Sequence, residues 1–150
     1  MKKEFLAKNL KDTEKIAREV IKKMASESRN VLFLQGELGA GKTTFSQQVL
    51  RFLGARGPFT SPTFVIMKKY PLSKSGESQG FQTVYHLDCY RVESSDVLEL
   101  GWQEIIGDPR NLVLVEWPER IEDIWPKEGE FLRVGFEILG EEERRISMEL

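Results

Sequence analysis

Apolar positions in this chain follow two spacings, and where each occurs predicts the elements. Ile16, Ala17, Val20, Ile21 and Met24 recur at helical intervals behind Asp12 and Thr13, which predicts a helix near 13–26 with Asp12 as its N-cap. A short strand around Phe5-Leu6-Ala7 precedes it. Val31-Leu32-Phe33-Leu34 is a continuous apolar run and reads as a buried strand over 31–35. Residues 43–53 return to helical spacing, and Gly54 marks their end. The connector Arg56 to Pro62 carries prolines and glycine and is irregular. Thr63 to Tyr70 and Phe81 to Leu87 read as two strands of an antiparallel hairpin beside the strand at 31–35. The polar stretch 71–80 between them reads as a mobile tip. Ser94 or Ser95 caps a short helix through Val97, Leu98 and Leu100, which Trp102 to Ile106 extends. Leu112-Val113-Leu114-Val115 is a second all-apolar run and reads as a central parallel strand. Phe131 to Ile138 and Arg144 to Met148 alternate around Gly140, as two antiparallel strands do.

What lies between the strand at 31–35 and the helix at 43–53 changes the picture. Gly36-Glu37-Leu38-Gly39-Ala40-Gly41-Lys42-Thr43 is a complete G-x-x-x-x-G-K-T loop, and strand–loop–helix is the context in which that pattern binds phosphate. The glycines let the backbone curl around an anion with its N–H groups pointing inward, and the helix adds its positive end. Lys42 supplies a point charge for the β- and γ-phosphates, and the Thr43 hydroxyl is placed to ligate Mg²⁺. The expected fold class is therefore α/β, a three-layer P-loop NTPase fold with a mixed parallel and antiparallel central sheet flanked by helices. Residues 1–150 are expected to form a single domain.

Phosphoryl transfer needs an acid at a strand end, and two residues qualify. Glu116 follows the apolar run 112–115, and Asp88 follows Val84-Tyr85-His86-Leu87. Either serves as a metal ligand, directly or through water. Arg91 stands three residues beyond Asp88, placed to pair with it, to contact a phosphate or to contact a partner. His86 is the only histidine, so a zinc site is not expected, and in a strand it reads as structural. Trp117-Pro118 reads as shaping the turn after Glu116, and Trp102 and Trp125 as core or interface aromatics.

Composition narrows the function classes. The net charge is −2, from 22 Lys+Arg and 24 Asp+Glu, which lacks the basic excess of a protein that grips nucleic acid unaided. No apolar run approaches the roughly 20 residues that span a bilayer. Met1-Lys2-Lys3-Glu4-Phe5 has no apolar segment behind it, so no secretory signal is expected. Cys89 is the sole cysteine, which excludes an intramolecular disulfide, and a cytoplasmic location is the expectation.

Four segments in this order resemble one family. They are Gly36 to Phe45, Ser61-Pro62-Thr63-Phe64, His86-Leu87-Asp88-Cys89-Tyr90-Arg91, and Val115-Glu116-Trp117-Pro118-Glu119. Together they resemble TsaE, also called YjeE, small P-loop ATPases needed for threonylcarbamoyladenosine (t6A) formation in tRNA. The resemblance implies binding and slow hydrolysis of ATP with Mg²⁺. It also implies action beside TsaD and TsaB, with tRNA engaged only through that complex and neither DNA nor membrane as a partner. By the same resemblance Glu37, Leu38, Gly39, Ala40, Gly41, Lys42, Thr43 and Thr44 cradle the phosphates. Thr43 and Glu116 hold the metal, and Asp88 joins Lys42 and Glu116 in catalysis and is a further candidate metal ligand. Ser61 to Thr63 form a switch near the γ-phosphate, and Asp12 and Thr13 meet the adenine. A family arginine near the C-terminus reaches the nucleotide; Arg144 and Arg145 compete for that role, and Arg144 is the expected one. Two other readings share the loop: a small-molecule kinase, which needs an acceptor pocket and a lid, and a nucleotide-gated adaptor that hardly cleaves ATP.

Overall fold

The computed structural model describes residues 2–59 and 66–149. Seven strands form one sheet: β1 (Lys2–Ala7), β2 (Val31–Gly36), β3 (Met67–Pro71), β4 (Thr83–Asp88), β5 (Asn111–Glu116), β6 (Phe131–Ile138) and β7 (Arg144–Glu149), in the order β1-β7-β6-β2-β5-β4-β3. β2 runs parallel to both β5 and β6, and β4 runs parallel to β5. The outer pairs β1–β7, β6–β7 and β3–β4 are antiparallel. The helices are α1 (Leu10–Ser26), α2 (Lys42–Phe52), α3 (Lys74–Glu77), α4 (Ser94–Glu99) and α5 (Trp102–Gly107), with a 3-10 helix at Pro118–Ile124.

The two apolar runs explain the layering. Side chains alternate across a strand. Leu32 and Leu34 of β2 and Leu112 and Leu114 of β5 therefore pack with Ile16, Val20, Phe45 and Val49 of α1 and α2. Val31, Phe33, Val113 and Val115 face the other way, onto Val97, Trp102 and Ile121. Buried on both faces, these strands read as uninterrupted hydrophobic runs. The result is the expected mixed sheet between two helical layers.

Several boundaries move for identifiable reasons. The N-cap of α1 is Asn9, whose Oδ1 accepts from Asp12 N at 3.0 Å. Asp12 instead lies inside the first turn, where its carboxylate accepts from Lys8 N at 2.8 Å. The pair works as a reciprocal cap. The hairpin β3–β4 lies beside β5, not beside β2, because β5 and β6 occupy both flanks of β2. The 71–80 stretch is not an open tip: Ser73 caps α3, Gly76 is buried, and Leu72 packs on the core. Gly101, at φ +89°, divides α4 from α5 where the apolar spacing predicts continuity. Ser94 does not cap α4; its hydroxyl bonds Asp123, while Asp96 Oδ2 accepts from Glu93 N at 2.9 Å. Among the described residues no helix is long and apolar enough to cross a membrane.

Candidate functional site

Parallel strands deliver their C-terminal ends to one edge of the sheet, and that edge is where ligands bind in open α/β folds. Gly36 ends β2, Glu116 ends β5 and Asp88 ends β4, with Glu116 in register with Leu34 on one side and Asp88 on the other. Gly36 is a position for glycine because a Cβ there would lie 2.7 Å from the Phe136 carbonyl oxygen of β6. The loop then turns, Ala40 N donating to Glu37 O at 3.0 Å. Gly41, in the left-handed region at φ +104°, launches α2 with no side-chain cap. The first-turn amides of α2 therefore have no capping side chain, and the helix presents its positive end to the loop.

Lys42 is 5% exposed. Its Nζ donates to the carbonyls of Gly36 and, at 3.1 Å, Glu37, and sits 3.9 Å above the Trp117 ring. Burial pushes its pKa down, against the opposing pull of Glu116, Glu119 and Asp88. Trp117 has a left-handed backbone at φ +59°, unusual for a bulky residue. Its ring meets the Tyr90 ring at 4.8 Å, and the following residue, Pro118, accepts through its carbonyl from Trp125 Nε1 at 2.8 Å. The Arg120 guanidinium lies over the Tyr90 ring, 5.6 Å from its centroid.

The acids meet the loop here. Thr43 Oγ1 donates to Glu116 Oε1 at 3.1 Å, and His86 Nε2 lies 2.6 Å from Glu116 Oε2. Asp88 accepts from Tyr90 N at 3.0 Å. Partial burial pushes the Asp88 carboxyl above the usual aspartate range, with the Tyr90 amide opposing and the Glu116 charge adding to the rise. Burial pushes the Cys89 thiol up to about 12, so this residue packs and is no nucleophile.

Two cavities flank the loop and share Ala40, Gly41 and Thr44. One, of about 680 Å³, is lined by Leu38 to Thr44, Asp88, Glu116, Trp117 and Arg91 among others. The other, of about 320 Å³, is lined by Asn9, Thr13, Phe136, Glu142 and Arg144. The structure thus gathers Leu38, Gly39, Ala40, Gly41, Lys42, Thr43, Thr44, Asp88 and Glu116 around one cavity, and Thr13 and Arg144 around its neighbour. Asp12 is not among the lining residues, being spent on the cap of α1. The two arginines diverge: Arg144 donates to Gly39 O of the loop at 3.2 Å, whereas Arg145 pairs with Glu137 at 2.9 Å. Among the described residues Arg91 makes no ion pair with Asp88. Ser61 to Thr63 lie outside the described residues.

Sequence reasoning missed three participants. Trp117 was legible only as a turn former, yet its ring faces Lys42. Glu119, held by Gln35 Nε2 at 3.2 Å, adds charge near Lys42; its spacing from Glu116 across Pro118 was the available signal. Glu142 gave no signal, since it belongs to a charged turn.

A family model described as "Threonylcarbamoyl adenosine biosynthesis protein TsaE" matches residues 7–146. A Rickettsia felis protein named tRNA threonylcarbamoyladenosine biosynthesis protein TsaE is 31% identical over 146 residues, covering 96% of this chain and 78% of the relative. The Bacillus subtilis protein of the same name is 37% identical over 118 residues, covering 79% and 68%. The crystal structure of Bacillus subtilis YdiB superposes with a TM-score of 0.66 at 26% identity, covering 99% of this chain and 84% of that one.

Proposed function

Because the chain belongs to the TsaE family of threonylcarbamoyl adenosine biosynthesis proteins, we propose that it is a slow, ATP-binding P-loop ATPase that acts with TsaD and TsaB in the cytoplasm. One observation carries this reading: a helix N-terminus opened by Gly41, with Lys42 and Thr43, faces Glu116 and Asp88 across a single cavity of about 680 Å³. The amides of 39–44 and the Lys42 ammonium suit a triphosphate tail. The neighbouring cavity, with Thr13 and Arg144, suits the base.

Magnesium prefers hard oxygen donors, and the donors here are of that kind: the Thr43 hydroxyl and the Glu116 and Asp88 carboxylates. Such an ion would take its remaining oxygens from phosphate and water. The Thr43 hydroxyl donates a hydrogen bond to Glu116 Oε1, which would leave its oxygen lone pairs for the ion. The bound ion would neutralise charge on the β- and γ-phosphates. Asp88, with its raised pKa, is the residue poised to orient or deprotonate an attacking water. Lys42 stabilises the charge on the transferred group. Further positive charge would come from Arg91 on the cavity wall or from a partner, and a partner-supplied arginine makes turnover partner-dependent.

The test is phosphate release by the purified protein, alone and with TsaD–TsaB. The expected result is weak basal release that rises with the pair and vanishes in Lys42→Ala. No Mg·ATP binding by calorimetry, with or without the pair, would overturn the proposal. Transfer of phosphate to a small acceptor would favour a kinase instead.

A further inference from the structure

His86 has no place in the steps above, yet it is one of the few polar side chains buried in this molecule. Its position follows from the register. Asp88 pairs with Glu116 and His86 pairs with Leu114, so His86 lies two residues back along β4 on the face that carries Leu114 and Glu116. That face packs on α1 and α2, and Thr43 stands in the first turn of α2. Glu116 therefore reaches from the sheet toward α2, with His86 beneath it and Thr43 in front.

The two carboxylate oxygens go to different donors. Oε1 accepts from the Thr43 hydroxyl at 3.1 Å, and Oε2 lies 2.6 Å from His86 Nε2. Both members of the His–Glu pair are almost wholly buried, with side chains 2% and 4% exposed. With Glu116 ionised, Nε2 is the protonated nitrogen and donates, since a carboxylate only accepts. One bond leaves a carboxylate free to rotate about its last torsion, whereas two bonds on opposite oxygens fix its plane. Groups that hold a metal-binding carboxylate in this way tune metal affinity without touching the ion.

We propose that His86 is a positioning residue: by holding Glu116 Oε2, it fixes Glu116 Oε1 against Thr43 and so sets the affinity of the site for Mg²⁺ in the presence of nucleotide. The inference rests on the Mg·nucleotide reading of the cavity.

Calorimetry of ADP binding to the full chain, in chelator and in magnesium, tests it. Three variants are compared, each checked for folding by circular dichroism. His86→Leu removes the donor. His86→Asn keeps polarity but is too short to reach Oε2, and carries the test if the apolar variant does not fold. His86→Gln restores a donor at greater reach. In the first two the affinity gained from magnesium should fall about 10-fold or more while metal-free ADP binds within about 2-fold of wild type, and His86→Gln should recover most of the gain. An unchanged magnesium gain in the folded variants overturns the role of His86, as does an equal loss of metal-free binding. A wild-type chain that binds no ADP under either condition overturns the nucleotide reading and this inference with it.

Discussion

Arg144 and Arg145 are adjacent in sequence and opposite in role, and substituting each in turn separates them. Arg144 donates through Nη1 to the carbonyls of Gly140 at 2.8 Å and Glu143 at 2.9 Å, and through Nη2 to Gly39 O at 3.2 Å. Its Nε is buried without a protein partner. The guanidinium therefore ties the β6–β7 turn to the phosphate loop and lines the smaller cavity. The carbonyls of this turn rehydrate when the side chain is removed, so each bond contributes near the low end of about 0.5–1.5 kcal/mol. Arg144→Ala should then cost about 1–2 kcal/mol, a fall in Tm of about 2–8 °C for a chain of this size. On the proposed nucleotide reading of this cavity, losing a charged donor costs about 1.5–3 kcal/mol, so affinity for Mg·ATP should drop about 10- to 100-fold. Arg144→Lys should recover little, because one ammonium cannot span the turn and the loop together. Arg145 makes only exposed pairs, with Glu137 at 2.9 Å and Glu4 at 3.8 Å. Such pairs contribute about 0–1 kcal/mol, and Arg145→Ala should bind nucleotide within about 2-fold of wild type. Calorimetry and thermal unfolding read both effects. Arg145→Ala losing as much affinity as Arg144→Ala would refute the assignment.

Two further outcomes follow from the same geometry. The folded state raises the pKa of Asp88, so this group favours folding fully below the ordinary aspartate value and loses that contribution as pH rises through the raised one. Asp88→Asn should therefore raise Tm near neutral pH while abolishing phosphate release, and the gain in Tm should shrink below about pH 4; a pH-independent difference contradicts this. Gly36→Ala drives a methyl to 2.7 Å from the Phe136 carbonyl on a hydrogen-bonded strand that has no slack. It should cost about 1–3 kcal/mol, and an unchanged guanidinium midpoint would show that β6 yields more readily than its pairing implies.

Local signals in the sequence were sufficient where one physical demand acted alone. The runs 31–34 and 112–115 are apolar throughout because both faces of β2 and β5 are covered, and the phosphate loop is legible because anion binding dictates residue types at fixed spacing. Competing caps were harder. Asp12 and Asn9 are both good N-caps, and only the tertiary course of the chain selects Asn9. The burial of Leu72 beneath an otherwise polar segment is likewise a long-range fact, as is the insertion of β5 between β2 and the hairpin. At the site, Thr43, Asp88 and Glu116 were marked by position at element ends. The contact between Lys42 and Trp117 was not, because it depends on a backbone conformation that no local preference of tryptophan suggests. The separation of Arg144 from Arg145 needed the strand alternation of β7 to be anchored in space.

The row formed by Leu34, Glu116 and Asp88 works like a jig. Neighbouring strands stand about 4.8 Å apart whatever side chains they carry, so the gap between the two acids is gauged by main-chain hydrogen bonds. Core substitutions on either side of the sheet can loosen the fold without respacing its carboxylates. A one-residue slip of β5 would throw Glu116 onto the wrong side of the sheet at a stroke. A substitution that slackens the clamp between layers therefore leaves the acids aligned, whereas one that rethreads a strand does not.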